Sequence, residues 1–293
     1  MGFFAAHGLP LGLQLFTLGE AWSGDPERTL ERVARIGYRT VELPGIHSGS
    51  AKKIRAAADS SGLSITSVHV PAQQLPRHAG PVSQAMTLAN DLPLLVNELR
   101  TLGASNVVVP LPPFPAIVPV RGEGLEEALI RGFRANGGEH WKRTAEWLNE
   151  RAEDLHREGI SLSYHNHNFE FSALGDTCGW EILLAHTDPK LVWFELDIAW
   201  VAAAGIDPLV LLSRHSGRLL QMHVKDILRT TKPDYRMSIE TTEVGSGKLD
   251  WKQLLPEAHR AGVRQFYVEQ EPPFCMDRFD SAAKSYAFLS TQV

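Results

Sequence analysis

The chain has 293 residues, enough for two average domains or for one α/β barrel, which takes about 250 residues. Hydrophobic residues make up 43% and charged residues 22%, the composition of a soluble chain with a sizeable core. The net charge is -5 and no basic run occurs, which disfavours a nucleic-acid binder because such proteins concentrate Lys and Arg on one face.

The N-terminal stretch is mildly apolar but has no basic segment, and His7, Gly8 and Pro10 interrupt it, so we expect no signal peptide. No window approaches the roughly 18 uninterrupted apolar residues of a membrane span. We therefore expect a cytoplasmic protein that binds neither membranes nor nucleic acid.

Short apolar and β-branched runs alternate with longer amphipathic stretches along the chain. Several short runs are almost continuously apolar, which is typical of strands buried on both faces of a parallel sheet. The predicted strands are 11–16, 39–43, 64–70, 105–109, 160–166, 191–197, 218–224 and 264–269.

Helical patterns fill the intervals between these strands. The first begins with Asp25 as a cap and Pro26 in the first turn, and Gly37 ends it. A glycine suited to the left-handed position that ends a helix recurs just before later strands. The predicted helices are 25–37, 48–62, 83–103, 139–159, 179–187, 207–217, 251–262 and 276–290.

Eight strands, each followed by a helix, predict an α/β protein with a single (β/α)8 TIM barrel over residues 1–293. A doubly wound sheet also alternates in this way, but it usually carries a Gly-rich phosphate loop after its first strand, and none follows here. Residues 110–138 contain five prolines and five glycines and predict a long loop, typical of a lid or a binding loop.

Ionisable side chains gather at the predicted carboxyl ends of the strands, where barrel enzymes have their active sites. His69 ends strand three, His223 ends strand seven and Glu269 ends strand eight. Further candidates end strands five and six, namely His165, His167, Glu195 and Asp197. This distribution predicts a functional site at the mouth of the barrel.

Three of these residues form a candidate metal site. Asp197, His223 and Glu269 offer two carboxylates and an imidazole on three consecutive strand ends. Such a donor set, without a thiolate, suits a divalent ion such as Mn, or alternatively Mg, Co or Zn.

Strand five adds candidates for a fourth ligand. Period-two alternation puts His165 and His167 on one face, and Glu170 lies just beyond them. Any of the three could bind the ion.

Lys225 lies two residues after His223, so it could point to the same mouth and hold an enolate oxygen, or pair at the surface with Asp226. The glycines of the loop 241–251 allow close backbone approach to a ligand.

Three further residues are predicted to contact substrate. His69 ends strand three, Glu243 lies in the glycine-containing loop, and Trp200 could form the floor of a sugar site or belong to the core.

Six segments resemble the xylose isomerase-like superfamily of sugar phosphate isomerases and epimerases, which also includes inosose dehydratases and endonuclease IV-like barrels. They are LGLQLFTL at 11–18, YHNHNFEF at 164–171, FELDIAWVAAAGIDP at 194–208, MHVKD at 222–226, TTEVGSGKLDW at 241–251 and YVEQEP at 267–272. The match runs nearly end to end, and the YHNH and HVKD segments point to one subgroup.

The resemblance implies that Asp197, His223 and Glu269 are three of four metal ligands. The fourth is normally a Glu at the end of strand five, where this chain has His165, and Glu170 is predicted to supply the missing carboxylate. Both remain candidates for that position. Barrels of this family often pair, so a homodimer is one expectation.

We predict a metal-dependent isomerase or epimerase that removes a proton beside the carbonyl of a keto sugar through an enediolate, which the metal stabilises as a Lewis acid. Glu269 and Glu170 are predicted to exchange the proton as general base and acid. Hydrogen bonds to the developing charge would come from three groups: His165, His167 and Lys225.

Three alternatives remain open. If a leaving group departs, the reaction is a β-elimination, as in a dehydratase or a lyase acting on a 3-keto sugar or 3-keto-glycoside, and the His-rich strand five supports it. An endonuclease IV-like phosphodiesterase is disfavoured because Trp200 stands where that group carries a His. A non-catalytic sugar-binding barrel is the third. Specificity for the sugar is predicted to lie in loops such as 72–82 and 110–138, and the lack of an evident phosphate cradle favours an unphosphorylated sugar.

Overall fold

Eight parallel strands close into a barrel in the computed structural model of the chain, which describes residues 2–74, 84–89, 92–115, 120 and 122–291. Each strand pairs with the next along the chain, and the last pairs with the first. The strands are β1 (Leu11–Gln14), β2 (Thr40–Leu43), β3 (Ser64–His69), β4 (Asn106–Val109), β5 (Ser161–His165), β6 (Val192–Asp197), β7 (Leu219–Val224) and β8 (Gln265–Val268). All eight lie within the predicted ranges, and the (β/α)8 barrel is confirmed.

Helices fill the intervals between the strands. They are α1 (Phe3–His7), α2 (Glu20–Gly24), α3 (Pro26–Ile36), α4 (Ala51–Ser61), α5 (Leu92–Leu102), α6 (Leu125–Arg157), α7 (Gly179–His186), α8 (Ile198–Ala203), α9 (Pro208–Arg214), α10 (Trp251–Ala261) and α11 (Arg278–Thr291). Within the described ranges, none of them is long and apolar enough to cross a membrane.

The ends of α3 follow from its sequence. The Asp25 carboxylate accepts a hydrogen bond from Arg28 N at 3.1 Å, and Pro26 occupies the first turn, where a missing N–H costs nothing. Gly37 ends the helix with a φ of 128°, a conformation that L side chains rarely adopt, and a Cβ there would collide with the Tyr286 ring. The turn into β2 therefore requires glycine.

Helix α6 is longer than predicted. The sequence predicts a loop over 110–138 and a helix over 139–159, whereas the helix spans Leu125–Arg157. Gly137 lies inside it with φ 56° and ψ -148°, so two helical segments meet at a kink. The adjacent Gly137 and Gly138 indicate a loop on their own, but the segment before them is rich in good helix formers such as Leu, Glu and Ala. The predicted loop is therefore wrong over its second half.

Helix α5 is shorter than predicted. It begins at Leu92 rather than at 83, and residues 84–89 are irregular. Most of the predicted specificity loop 72–82 and part of the loop 110–138 lie outside the described residues, which omit 75–83, 90–91, 116–119 and 121.

Side chains alternate between the two faces of each strand. Those pointing outward are apolar or aromatic and buried, for example Tyr164, Phe194 and Met222. Hydrogen bonds cross the interior, such as the one that Gln221 Nε2 on β7 donates to Ser67 Oγ on β3 at 2.9 Å. Inward-pointing polar residues that are each at most 8% exposed include Gln14, Glu42, Ser67, His69, Asn106, Ser163, His165, Glu195, Asp197, Gln221, His223, Lys225 and Glu269. Charge is thus present inside the barrel as well as at its mouth.

Candidate active site

Two groups of charged side chains lie in the barrel, and His223 belongs to both. The inner cluster consists of Glu42, His69, His165, Glu195 and His223. The outer cluster, nearer the carboxyl ends of the strands, consists of Asp197, His223, Lys225, Glu269 and Glu271. The two ring nitrogens of His223 face different clusters, because Nε2 lies 2.8 Å from Glu42 Oε1 and Nδ1 lies 3.0 Å from Glu269 Oε2.

In the inner cluster, three imidazole nitrogens converge on one carboxylate oxygen. Glu195 Oε2 lies 3.1 Å from His69 Nε2 and 3.0 Å from His165 Nδ1. The same oxygen lies 3.2 Å from His223 Nε2. The strand register accounts for part of this arrangement, since His165 on β5 is the direct neighbour of Glu195 on β6. All four residues are buried.

Glu42 joins the inner cluster from β2. It accepts hydrogen bonds from Gln14 Nε2 at 2.7 Å and from Ser67 Oγ at 2.5 Å, and its Oε1 lies 3.1 Å from His69 Nε2. Burial opposes a charge on Glu42, but His69 and His223 outweigh it and hold the pKa of the carboxyl well below its usual range. The carboxylate is therefore ionised inside the barrel.

The imidazoles of the inner cluster do not share one charge state. Burial disfavours a charged His69, but Glu42 and Glu195 outweigh this and raise its pKa to about 9. Burial and the charge of Glu42 raise the pKa of Glu195 to about 7. Burial and the neighbouring His223 lower the pKa of His165 well below its usual value. At neutral pH the cluster therefore holds charged and neutral imidazoles side by side.

In the outer cluster, carboxylates surround Lys225. Its Nζ lies 3.1 Å from Asp197 Oδ2 and 2.9 Å from Glu269 Oε2, and it also contacts Glu271. Burial opposes the ammonium charge, but these three carboxylates raise the pKa of Lys225 well above its usual value. Lys225 therefore stays charged although it is fully buried.

The acids beside Lys225 differ in pKa. Burial opposes the charge of Glu269, but Lys225 and His223 hold its pKa well below the usual range. Burial raises the pKa of Glu271, and Lys225 offsets that effect only in part. Glu269 is therefore ionised, whereas the pKa of Glu271 moves toward neutrality.

A cavity of about 190 Å³ opens onto both clusters. Pockets that take drug-sized ligands measure about 300–1,000 Å³, so this one suits a single small molecule. Its lining residues are Phe16, Pro44, His69, Pro71, Pro110, Leu111, His165, His167, Glu269 and Glu271.

His167 lines this cavity and has a ring nitrogen buried in the protein. Its Nδ1 is buried and has no hydrogen-bond partner in the described part of the chain. Burial and the charge of Lys225 lower the pKa of His167 to about 3, so the ring is neutral at physiological pH. A buried polar atom without a partner is costly to the folded protein.

The three metal ligands predicted from strand ends lie together. The ligand atoms of Asp197, His223 and Glu269 are within 4.8 Å of one another, although Lys225 Nζ lies between the two carboxylates. A second set with the same spacing consists of His69, His165, Glu195 and His223. Carboxylates and imidazoles are ligands of divalent ions, so the donor chemistry of both sets fits a metal.

Glu170 joins neither of these sets. Its Oε1 accepts a hydrogen bond from Tyr164 Oη at 2.8 Å, and its Oε2 accepts one from His167 N at 2.9 Å. Because Tyr164 points outward from β5, the Glu170 carboxylate is held away from the barrel interior. Burial raises its pKa to about 8. The structure therefore does not bring Glu170 to the predicted position of fourth ligand and proton carrier.

Two of the predicted substrate contacts do not line the cavity. Trp200 is 2% exposed and packs inside the protein. Glu243 accepts hydrogen bonds from Ser281 Oγ at 3.1 Å and Lys284 Nζ at 3.0 Å, so it joins its loop to α11. His69 is the predicted contact that does line the cavity.

Asp226 organises the glycine-containing loop instead of pairing with Lys225. Its Oδ2 accepts hydrogen bonds from Gly245 N at 3.1 Å, Gly247 N at 3.2 Å and Trp251 Nε1 at 3.0 Å. A Cβ at Gly247 would collide with the Asp226 carboxylate. These glycines therefore allow the backbone to approach the Asp226 carboxylate closely, rather than a ligand.

Glu42 and Glu271 are the charged residues that sequence reasoning misses. Glu42 is a lone acid in an apolar strand, and a charge buried on both faces of a sheet needs partners, which is the signal that could have found it. Glu271 follows Glu269 by two residues, the spacing that puts side chains on one face of an extended segment.

A closed barrel with ionisable residues at the carboxyl ends of its strands has the layout of a TIM-barrel enzyme. The chain belongs to the xylose isomerase-like TIM barrel family, whose model matches residues 30–291. The resemblance identified from the sequence motifs is thereby confirmed.

Individual relatives are distant in sequence. The chain is 25% identical over 259 residues to the rhizopine catabolism protein MocC of Rhizobium meliloti, covering 84% of this chain and 75% of that protein. It is 23% identical over 276 residues to the inosose dehydratase of Geobacillus thermodenitrificans, covering 90% of this chain and 88% of that protein. A solved sugar phosphate isomerase/epimerase from Parabacteroides distasonis shares the fold with a TM-score of 0.72 at 24% identity, covering 96% of this chain and 93% of that one.

Proposed function

We propose that the chain is a divalent-metal-dependent isomerase or epimerase that moves a proton at the carbon next to the carbonyl group of a keto sugar. The observation that carries this proposal is the cavity of about 190 Å³, where ionisable side chains from β5 and from the segment after β8 surround one small site. Family membership supports it, because relatives bear the names of sugar isomerases, epimerases and dehydratases.

Glu271 is the side chain best suited to exchange the proton. A general acid or base is most effective when its pKa lies near the operating pH, and burial raises the pKa of Glu271 in that direction. Glu269 is held ionised by Lys225, which makes it the weaker base of the two. Both acids line the cavity, so Glu271 takes the role that the sequence assigns to Glu170.

His165 and His167 would act from another side of the bound sugar. They line the same cavity from β5 and the segment after it, and β6 and β7 separate them from the acids that follow β8. Burial lowers the pKa of both rings, so each is neutral and can donate a hydrogen bond to the sugar. Epimerisation needs groups on two faces of the sugar, because the proton leaves from one face and returns to the other.

Lys225 would position the acids. It is fully buried and contacts both Glu269 and Glu271, so it holds the two carboxylates in place at the edge of the cavity. Fixed charges of this kind need no rearrangement when charge develops on the substrate.

The donor chemistry of Asp197, His223 and Glu269 suits a divalent ion, Mn in the first instance and alternatively Mg, Co or Zn, and the inner cluster offers a second donor set of the same kind. Such an ion, when bound, supplies Lewis-acid chemistry that acidifies a C–H next to a carbonyl. The residues that line the cavity in the described part of the chain include no Arg or Lys, which favours an unphosphorylated sugar.

Dehydration or another β-elimination is the second candidate, favoured by the likeness to an inosose dehydratase. Elimination starts with the same proton removal, and a group on the neighbouring carbon then departs instead of the proton returning. The raised pKa of Glu271 suits this reaction too, since a protonated carboxyl can donate a proton to a leaving hydroxyl group.

Incubation with candidate 3-keto sugars in D2O, with and without added Mn²⁺, distinguishes the two reactions by NMR. Deuterium uptake without loss of a group supports the isomerase or epimerase. Release of water or of an aglycone supports the elimination instead. If no keto sugar exchanges a proton in the presence of metal, both candidates are wrong.

A further inference from the structure

We infer that the inner cluster is a transition-metal site whose ligands are His69 Nε2, His165 Nδ1, His223 Nε2 and the Glu195 carboxylate. The inference rests on the metal dependence in the proposed function, and it assigns the ion to residues deeper in the barrel than Asp197 and Glu269.

The donor atoms of the inner cluster converge as ligands do. Glu195 Oε2 lies 3.0 to 3.2 Å from each of three imidazole nitrogens, and the ligand atoms of all four residues lie within 4.8 Å of one another. Atoms bound at 2.0–2.2 Å to one ion are about 3–3.5 Å apart, so the spacing matches a coordination shell. Three N–H groups would also crowd a single carboxylate oxygen, whereas one shared ion accommodates all four donors.

The charges of the two clusters favour the inner one. In the outer cluster the Lys225 ammonium already lies 3.1 Å from Asp197 and 2.9 Å from Glu269, so a divalent ion between them would face a buried like charge. In the described chain no Lys or Arg contacts Glu42 or Glu195, whose ionic partners are imidazoles. A divalent ion would balance these two carboxylates while the imidazoles bind it in neutral form.

The outer cluster would then support the ion through His223. A metal-bound histidine usually donates its other ring N–H to a carboxylate, which fixes the tautomer and the ring orientation. His223 Nδ1 lies 3.0 Å from Glu269 Oε2 and 3.6 Å from Asp197 Oδ2. A proton on Nδ1 leaves the lone pair of Nε2 directed into the inner cluster.

The composition of the inner cluster also narrows the choice of ion. Three imidazoles and one carboxylate favour a first-row transition ion such as Zn²⁺ or Co²⁺ over Mg²⁺, which prefers oxygen ligands. His69 and His165 line the cavity, so the ion would be within reach of a small molecule bound there.

Metal titration of Glu195→Gln and Asp197→Asn tests the assignment. Glu195 and Asp197 lie two positions apart on one face of β6. Each variant therefore removes one carboxylate, the first from the inner cluster and the second from the outer cluster. Chelator-treated protein would be titrated with Co²⁺ and followed by visible absorption and calorimetry, with circular dichroism as the control for folding.

We expect one Co²⁺ per chain, an affinity lower by more than about 100-fold in Glu195→Gln, and a smaller loss of about 10- to 100-fold in Asp197→Asn, which lies outside the coordination shell. Loss of binding in Asp197→Asn with wild-type affinity in Glu195→Gln would overturn the inner site.

Pulsed EPR of wild-type protein loaded with Mn²⁺ gives a second readout that needs no variant to fold. Coupling of the Mn²⁺ electron spin to nitrogens of three imidazoles supports the inner site. Coupling to one imidazole overturns it and indicates that Asp197, His223 and Glu269 bind the ion. Absence of stoichiometric uptake of any divalent ion overturns this inference together with the metal dependence. The D2O experiment on chelated protein tests the proposed reaction independently of the metal site. If the sugar exchanges a proton without metal, the proton-transfer reaction is supported even though the metal site is wrong.

Discussion

The two clusters in the barrel compensate buried acids in different ways. In the outer cluster the compensating charge is the Lys225 ammonium, whose pKa is raised, so it persists across the physiological range. In the inner cluster Glu42 and Glu195 have imidazoles as partners, and an imidazole can exchange its proton for a metal ion. The two clusters therefore have different roles. The outer cluster holds acids in place beside the cavity, whereas the imidazoles of the inner cluster can exchange their protons for a metal ion.

The largest effect is expected where the outer cluster meets the cavity. Glu271→Gln removes an acid–base group while keeping its size, so kcat should fall by about 10²–10⁴-fold with a much smaller change in KM. The matched control is Glu240→Gln, an exposed acid that does not line the cavity, and its kcat should stay at the wild-type value. Steady-state kinetics on the keto sugar identified by NMR would measure both. Full kcat in Glu271→Gln would contradict its role.

Removing the ammonium should have the next largest effect. Lys225→Met leaves Asp197 and Glu269 buried without their cation, and breaking a buried ion pair costs about 3–5 kcal/mol of unfolding free energy. Lys142→Met breaks an ion pair with Glu139 in which both side chains are exposed, and such pairs contribute about 1 kcal/mol or less. Urea unfolding would compare the two variants. Equal losses would mean that the outer cluster does not depend on its ammonium.

A smaller effect is expected from pH on the inner cluster. In metal-free protein His69 has a pKa of about 9 when folded, against 6.5 when unfolded. Its stabilisation is complete below pH 6.5 and is lost as pH rises through 9, with a slope of up to about 1.4 kcal/mol per pH unit. Urea unfolding of chelated protein across this window should show that decline, and His69→Asn should reduce it. The same decline in the variant would assign the effect to other groups.

The barrel strands could be predicted because each is a short, largely apolar run, and most of them follow a helix that ends near a glycine. The boundary of α6 could not, since Gly137 and Gly138 interrupt a helix that continues on both sides of them. Local sequence signals cannot distinguish a kink from a loop, because the outcome depends on how the two segments pack.

The site residues that lie at strand ends could be predicted, because the barrel fixes their positions. Asp197, His223 and Glu269 come together because neighbouring strands end at one face of the barrel. Glu170 lies beyond its strand, where sequence does not determine the direction of a side chain, and Tyr164 holds it outside the interior. Glu42 could not be placed from spacing alone, because its partners come from strands far away in the sequence.

His223 makes the two clusters thermodynamically dependent on each other. Its Nδ1 lies against Glu269 at the cavity and its Nε2 against the centre of the barrel, so a change in the first contact alters the donor strength of the second. A ligand that weakens the Glu269 contact would therefore change the affinity for an inner ion. By reciprocity, the ion would change the affinity for that ligand by the same factor.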